Sequence, residues 1–123
     1  MDIQILLGKT MLHIEKIGDV ELYFSCSDGT RYRMFSDENG NGNDIKVYIE
    51  DIGGELESLI GNPIIMAEMV TNKDDLPAQG YDDKERYLWT YYKLATIKGY
   101  VTIRWFGTSN GYYCEKAEFE QIE

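Results

Sequence analysis

Apolar and polar positions alternate with period two along much of the chain, which marks half-buried β-strands rather than helices. In residues 9–17, Thr10, Leu12 and Ile14 share one side while Lys9, His13 and Glu15 share the other. Val20, Leu22, Phe24 and Cys26 continue the period, Ser27-Asp28-Gly29 turns the chain, and Thr30, Tyr32 and Met34 then alternate with Arg31 and Arg33. An Asp-Gly pair between two alternating runs is a strong hairpin signal, because glycine accepts the positive φ of a tight turn. Strands are therefore predicted at 9–17, 20–26 and 30–35. Alternation resumes through Ile45, Val47 and Ile49, which predicts a strand at 45–52. Glycines 53 and 54, acids at 55 and 57, and Gly61 as a C′ residue predict one short helix near 54–60, which Asn62-Pro63 ends. Residues 64–70 read as a strand. The runs 87–97, 100–106 and 112–119 read as a C-terminal antiparallel three-strand meander. The expected fold is mainly β (α+β): one domain, 1–123, as a compact antiparallel sheet or a small sandwich or barrel.

Two polar stretches interrupt the strands. In 36–44, Asp37, Asn39, Asn41 and Asn43 sit at alternate positions and invite a calcium reading. Position twelve counted from Asp37 is Tyr48, not the bidentate acid an EF-hand requires, so a solvated loop is the expectation. Residues 71–85 hold Asp74, Asp75, Pro77, Gly80, Asp82 and Asp83 and read as the most mobile loop.

Composition narrows the partners. The 123 residues are 43% hydrophobic, as in folded globular chains, and carry a formal charge of −10. That charge should repel nucleic acid across a broad face, so no direct nucleic-acid binding is expected. It leaves a small ligand in a local pocket, or a basic protein surface, as attractive partners. No apolar run approaches the roughly 18–20 residues of a membrane helix, and the first residues lack the basic start of a signal peptide, so a cytoplasmic protein away from membranes is expected. Cys26 and Cys114 form no CxxC pair and read as core thiols. Nothing requests an enzyme or a cofactor. His13 stands alone, no nucleophile or phosphate-loop motif occurs, and Asp74-Asp75 and Asp82-Asp83 lie in a polar loop where water keeps them ordinary acids.

One stretch departs from the average. Residues 86–114 contain no Asp or Glu but four cations (Arg86, Lys93, Lys98, Arg104), leaving −14 for the remainder, and hold nine of the sixteen aromatic residues. Rings with scattered cations suit a nucleotide: bases stack for roughly 1–3 kcal/mol each, and Arg or Lys meets the phosphates. The candidate ligand residues are Trp89, Tyr91, Tyr92, Lys93, Arg104, Asn110, Tyr112 and Tyr113. The plain alternative is that aromatic residues are what strands are made of and that a central hairpin excludes acids because it is buried. Face assignment puts Val101, Ile103 and Trp105 in the core and Arg104 opposite, beside Tyr100 and Phe106. In the preceding strand, Leu88, Thr90, Tyr92 and Leu94 against Trp89, Tyr91, Lys93 and Ala95 leave no clear core face. A strand apolar on both sides is covered twice, and a second copy in a homo-oligomer would supply the second cover.

The segment from Trp89 through Trp105, followed by Gly107-Thr108-Ser109-Asn110-Gly111-Tyr112-Tyr113, resembles the signature of a small phage and prophage protein family of unknown function. Ile49-Glu50-Asp51-Ile52-Gly53-Gly54 and Leu59-Ile60-Gly61 are also similar to it. The family pattern has Ser where this chain has Cys114, so any role of that position is not carried over. The resemblance implies a phage accessory protein acting in the host cytoplasm, non-enzymatic and directed against host defences. Two strategies fit: sequestering a nucleotide-type immune signal in an oligomer's pocket, or presenting carboxylates as a DNA mimic to a basic host defence protein such as a nuclease.

Overall fold

A computed structural model describes residues 1–36, 46–72, 86–109 and 117–123. Among the described residues there are eight strands: β1 (Met11–Ile17), β2 (Glu21–Cys26), β3 (Arg31–Phe35), β4 (Lys46–Gly53), β5 (Met66–Asn72), β6 (Arg86–Thr96), β7 (Gly99–Ser109) and β8 (Glu118–Ile122). They form two antiparallel four-stranded sheets, ordered β1-β2-β3-β8 and β4-β7-β6-β5. The inner faces meet in one buried cluster: Leu22, Phe24, Tyr32, Met34 and Phe119 from the first sheet, Ile49, Tyr92, Leu94, Val101, Ile103 and Trp105 from the second. Tyr32 stacks on Phe119 within the first sheet at 5.4 Å, and Tyr92 reaches Phe119 across the core at 6.5 Å. This is the sandwich form of the expected mainly β fold.

Alternation located the strands well, and the core positions Val101, Ile103 and Trp105 are as expected. Asp28 closes the β2–β3 hairpin, accepting from the Thr30 amide at 3.0 Å and from Lys9 Nζ at 2.5 Å, while Gly29 takes φ +87. Three expectations need correction. The last strand does not complete a meander: β7 is already flanked by β6 and β4, so β8 crosses to the first sheet and pairs with β3, Met34 opposite Phe119 and Arg33 opposite Glu120. The short helix near 54–60 is a single 3-10 turn, Leu56–Leu59, entered from Glu55 without a side-chain cap; so short a segment cannot repay α-helix nucleation. Gly61 does follow its C-cap with φ +89. A second 3-10 turn, Ile3–Leu6, capped by Asp2, has no counterpart in the alternation. Finally, Leu12 does not share a face with Ile14, because a bulge between Met11 and His13 makes Leu12 the extra residue and leaves it exposed. Met11 before the bulge is the one buried.

Cys26 is a buried thiol, and the core around it pushes its pKa up. Cys114, the loop 37–45 with its calcium reading, the acidic loop 73–85 and the first part of the run 112–119 lie outside the described residues. Among the described residues, no helix is long and apolar enough to cross a membrane.

Candidate functional site

The β6–β7 pairing decides where the candidate residues point. Trp89 faces Phe106, Tyr91 faces Arg104 and Lys93 faces Thr102. β5 and β4 extend these rows, with Asn72, Val70 and Glu68 on one flank and Tyr48 and Asp51 on the other. Trp89, Tyr91, Lys93 and Arg104 are therefore brought together on the outer face of the second sheet, opposite the core. Tyr92 is not among them. Its even-numbered face is the core side, where Thr90, Tyr92 and Leu94 are all buried, and its hydroxyl donates to the Ala117 carbonyl at 2.9 Å. Burial raises the Tyr92 pKa, with Glu118 adding to it. Asn110, Tyr112 and Tyr113 lie outside the described residues.

The outer face is a packed layer of rings. Phe106 lies 4.6 Å from Trp89, 5.9 Å from Tyr87 and 6.1 Å from Tyr48, and Trp89 lies 6.3 Å from Tyr91. Trp89 retains 6% and Phe106 2% of its exposure, although both point away from the main core. β6 is thus covered on both sides, as its double apolar pattern required. Around the two sealed rings, Tyr87 and Tyr91 are half-buried and Val70 is exposed, while Tyr100 is exposed at the other end of β7.

Arg104 does not stand ready for an anion. Its Nε donates to Glu50 at 2.5 Å, its Nη2 also contacts Glu50 and lies 3.8 Å from Asp51, and its guanidinium sits 5.2 Å from the Trp89 ring. The cause is local. A bulge between Ile49 and Asp51 makes Glu50 an extra residue, so two successive carboxylates meet the one arginine. Glu68 occupies the register position opposite Lys93 on β5. At Arg104 and beside Lys93 the neighbouring strands thus supply carboxylates that the segment itself lacks. Glu50 and Asp51 were the residues that sequence reasoning missed. Strand alternation placed Ile49 correctly but gave no sign of the bulge beside it.

The chain matches the family described as "Domain of unknown function (DUF7448)" over residues 4–119. No curated protein and no solved structure gives a significant match.

Proposed function

The chain belongs to the DUF7448 family, and on that premise we propose that it is a non-enzymatic binding protein whose contact surface is the outer aromatic face of the β4-β7-β6-β5 sheet, addressed to a basic protein. The observation that carries this is the site of Arg104. There a guanidinium rests against Trp89 and is held by Glu50 and Asp51. The half-buried tyrosines near these carboxylates, Tyr48 and Tyr91, offer the same chemistry to a partner's arginines: ring faces for the cation and oxygens for its N–H fork. Tyr, Trp and Arg are also the residue types that dominate interface energetics. The net charge of −10 would speed encounter with such a partner.

The resemblance to small phage and prophage proteins supports a counter-defence setting in a host cytoplasm, with a nucleic-acid-binding defence protein as the natural class of basic partner. Sequestration of a nucleotide-type immune signal, with or without a homo-oligomeric pocket, is the second reading; Tyr91 beside Lys93 favours it. Against it stands the pairing of Arg104, because a phosphate would have to displace two carboxylates.

One experiment separates the two. Calorimetry of the whole chain is run against an arginine-rich peptide and against a panel of cyclic dinucleotides and cyclic and linear ADP-ribose compounds. Peptide binding that weakens steeply with salt and drops at least about tenfold in Tyr91→Ala, while a Leu12→Ala control on the other sheet leaves it unchanged, supports the leading reading. Nucleotide binding lost in Arg104→Ala would replace it with the second.

A further inference from the structure

A different region carries an inference that does not depend on the aromatic face. β5 is the last strand of the second sheet and β8 the last strand of the first, and residues of both, together with the N-terminal 3-10 turn, line one cleft. Between them opens a cleft of about 550 Å³, within the range of cavities that hold small organic molecules. Its walls divide by chemistry. Ile3, Met69, Tyr92 and Phe119 supply an apolar, partly aromatic floor. The floor rings are fixed: Tyr92 by its bond to Ala117, Phe119 by its stack on Tyr32. Among the described residues, the ionisable side chains on the wall are Asp2, Glu68 and Glu118, and no lysine or arginine side chain lines it. The Asp2 carboxylate is committed to the Gln4 amide at 2.9 Å, which leaves Glu68 on β5 and Glu118 on β8 as the remaining acids that line the cleft.

We propose that this cleft binds a small organic cation: an alkylammonium or guanidinium group on an apolar or aromatic body. The floor takes the body, as a wall of aliphatic and aromatic carbon takes any apolar surface out of water. The two carboxylates take the cation, and the same pair excludes a phosphate or carboxylate ligand of equal size. A nucleotide is thereby the wrong guest for this cleft.

The test uses tryptamine and indole-3-acetate, which share a ring body and carry opposite charge. Titrations of the whole chain are followed by calorimetry and by amide chemical shifts of β5 and β8. Tryptamine should bind one-to-one at submillimolar concentration, and indole-3-acetate at least about tenfold more weakly. Glu118→Gln and Glu68→Gln should each weaken tryptamine by about fivefold, while Glu15→Gln, an equal loss of charge on β1, should change it by less than about twofold. Since residues 68 and 118 sit at the surface of strand edges, the variants keep a native circular dichroism spectrum. Equal affinity for the anion, indifference to both cleft substitutions, or no tryptamine binding would each overturn the proposal.

Discussion

The outer faces of the two sheets are built around the same device, yet they end differently. On the first sheet, Arg33 lies 3.8 Å over the Phe35 ring, donates to Glu120 at 2.6 Å and approaches Glu21, which also accepts from the Tyr23 hydroxyl. On the second, Arg104 lies over Trp89 and is held by Glu50 and Asp51. Each arginine covers a ring and is answered by two carboxylates, so neither is an unpaired cation awaiting a ligand. What separates the faces is the ring layer around Phe106, which among the described residues has no counterpart on the first sheet. A sandwich needs one apolar face per sheet, so the second apolar face of β6 and β7 exceeds what the fold requires. That excess, rather than the arginine, makes the second face the better candidate for binding.

The largest effect tests whether that layer is a real second core. Phe106→Ala should cost about 3–5 kcal/mol, the range for a buried aromatic ring, because it removes a side chain packed between Trp89, Tyr87 and Tyr48. Phe35→Ala, whose ring is roofed by a partly exposed guanidinium, should cost less, about 2 kcal/mol. Urea unfolding of both variants gives the comparison, and equal costs would remove the distinction between the faces.

The two arginines themselves should matter little. Arg33 keeps 29% and Arg104 39% of its side-chain exposure, so each substitution to Ala should cost about 1 kcal/mol or less, shrinking in high salt. If Arg104→Ala proves several-fold costlier than Arg33→Ala, the likeness drawn between them is wrong.

These contrasts show where the chain is legible. Leu22, Phe24 and Cys26 alternate cleanly because their strand has one wet face, so its position could be read directly. β6 could not be oriented because both of its faces are dry, and burial erases the polar marks that alternation relies on. Pairing between distant strands is written in no local pattern: β8 goes to β3 because β4 already occupies the edge of β7. The bulges at Leu12 and Glu50 are likewise silent in sequence, and the second one decides the electrostatics of Arg104.

The inner face of the second sheet offers a smaller test of opposite sign. Thr90 Oγ1 and Trp105 Nε1 are buried without hydrogen-bond partners, and the two residues stand directly opposite each other in β6 and β7. Thr90→Val keeps the shape and removes an unsatisfied hydroxyl, so it should leave stability unchanged or raise it by up to about 1 kcal/mol. A clear loss in thermal unfolding would mean that the hydroxyl has a partner in solution.

The finest contrast lies in the two hairpin turns. The β6–β7 turn is held by neutral groups: Thr96 Oγ1 donates to the Ser58 carbonyl and accepts from the Lys98 amide at 3.1 Å. The β2–β3 turn is held by charge. Lys9 and Thr30 lower the Asp28 pKa below the usual carboxylate range, and the bond to Asp28 raises that of Lys9. A carboxylate with a depressed folded-state pKa adds stability above its unfolded value of about 3.9 and loses it as pH falls below that toward the folded value. An ammonium with a raised pKa adds stability below about 10.4 and loses it as pH rises through the folded value. Asp28→Asn should therefore be felt between about pH 4 and 10 and fade at lower pH, as the aspartate of the unfolded wild-type chain takes up its proton before the folded one does. It should also fade in salt, since both groups are exposed. Thr96→Val, by contrast, should cost about 1 kcal/mol at every pH. Unfolding profiles for the two variants that ran parallel from pH 2 to 7 would show that the charged turn contributes nothing its neutral counterpart does not.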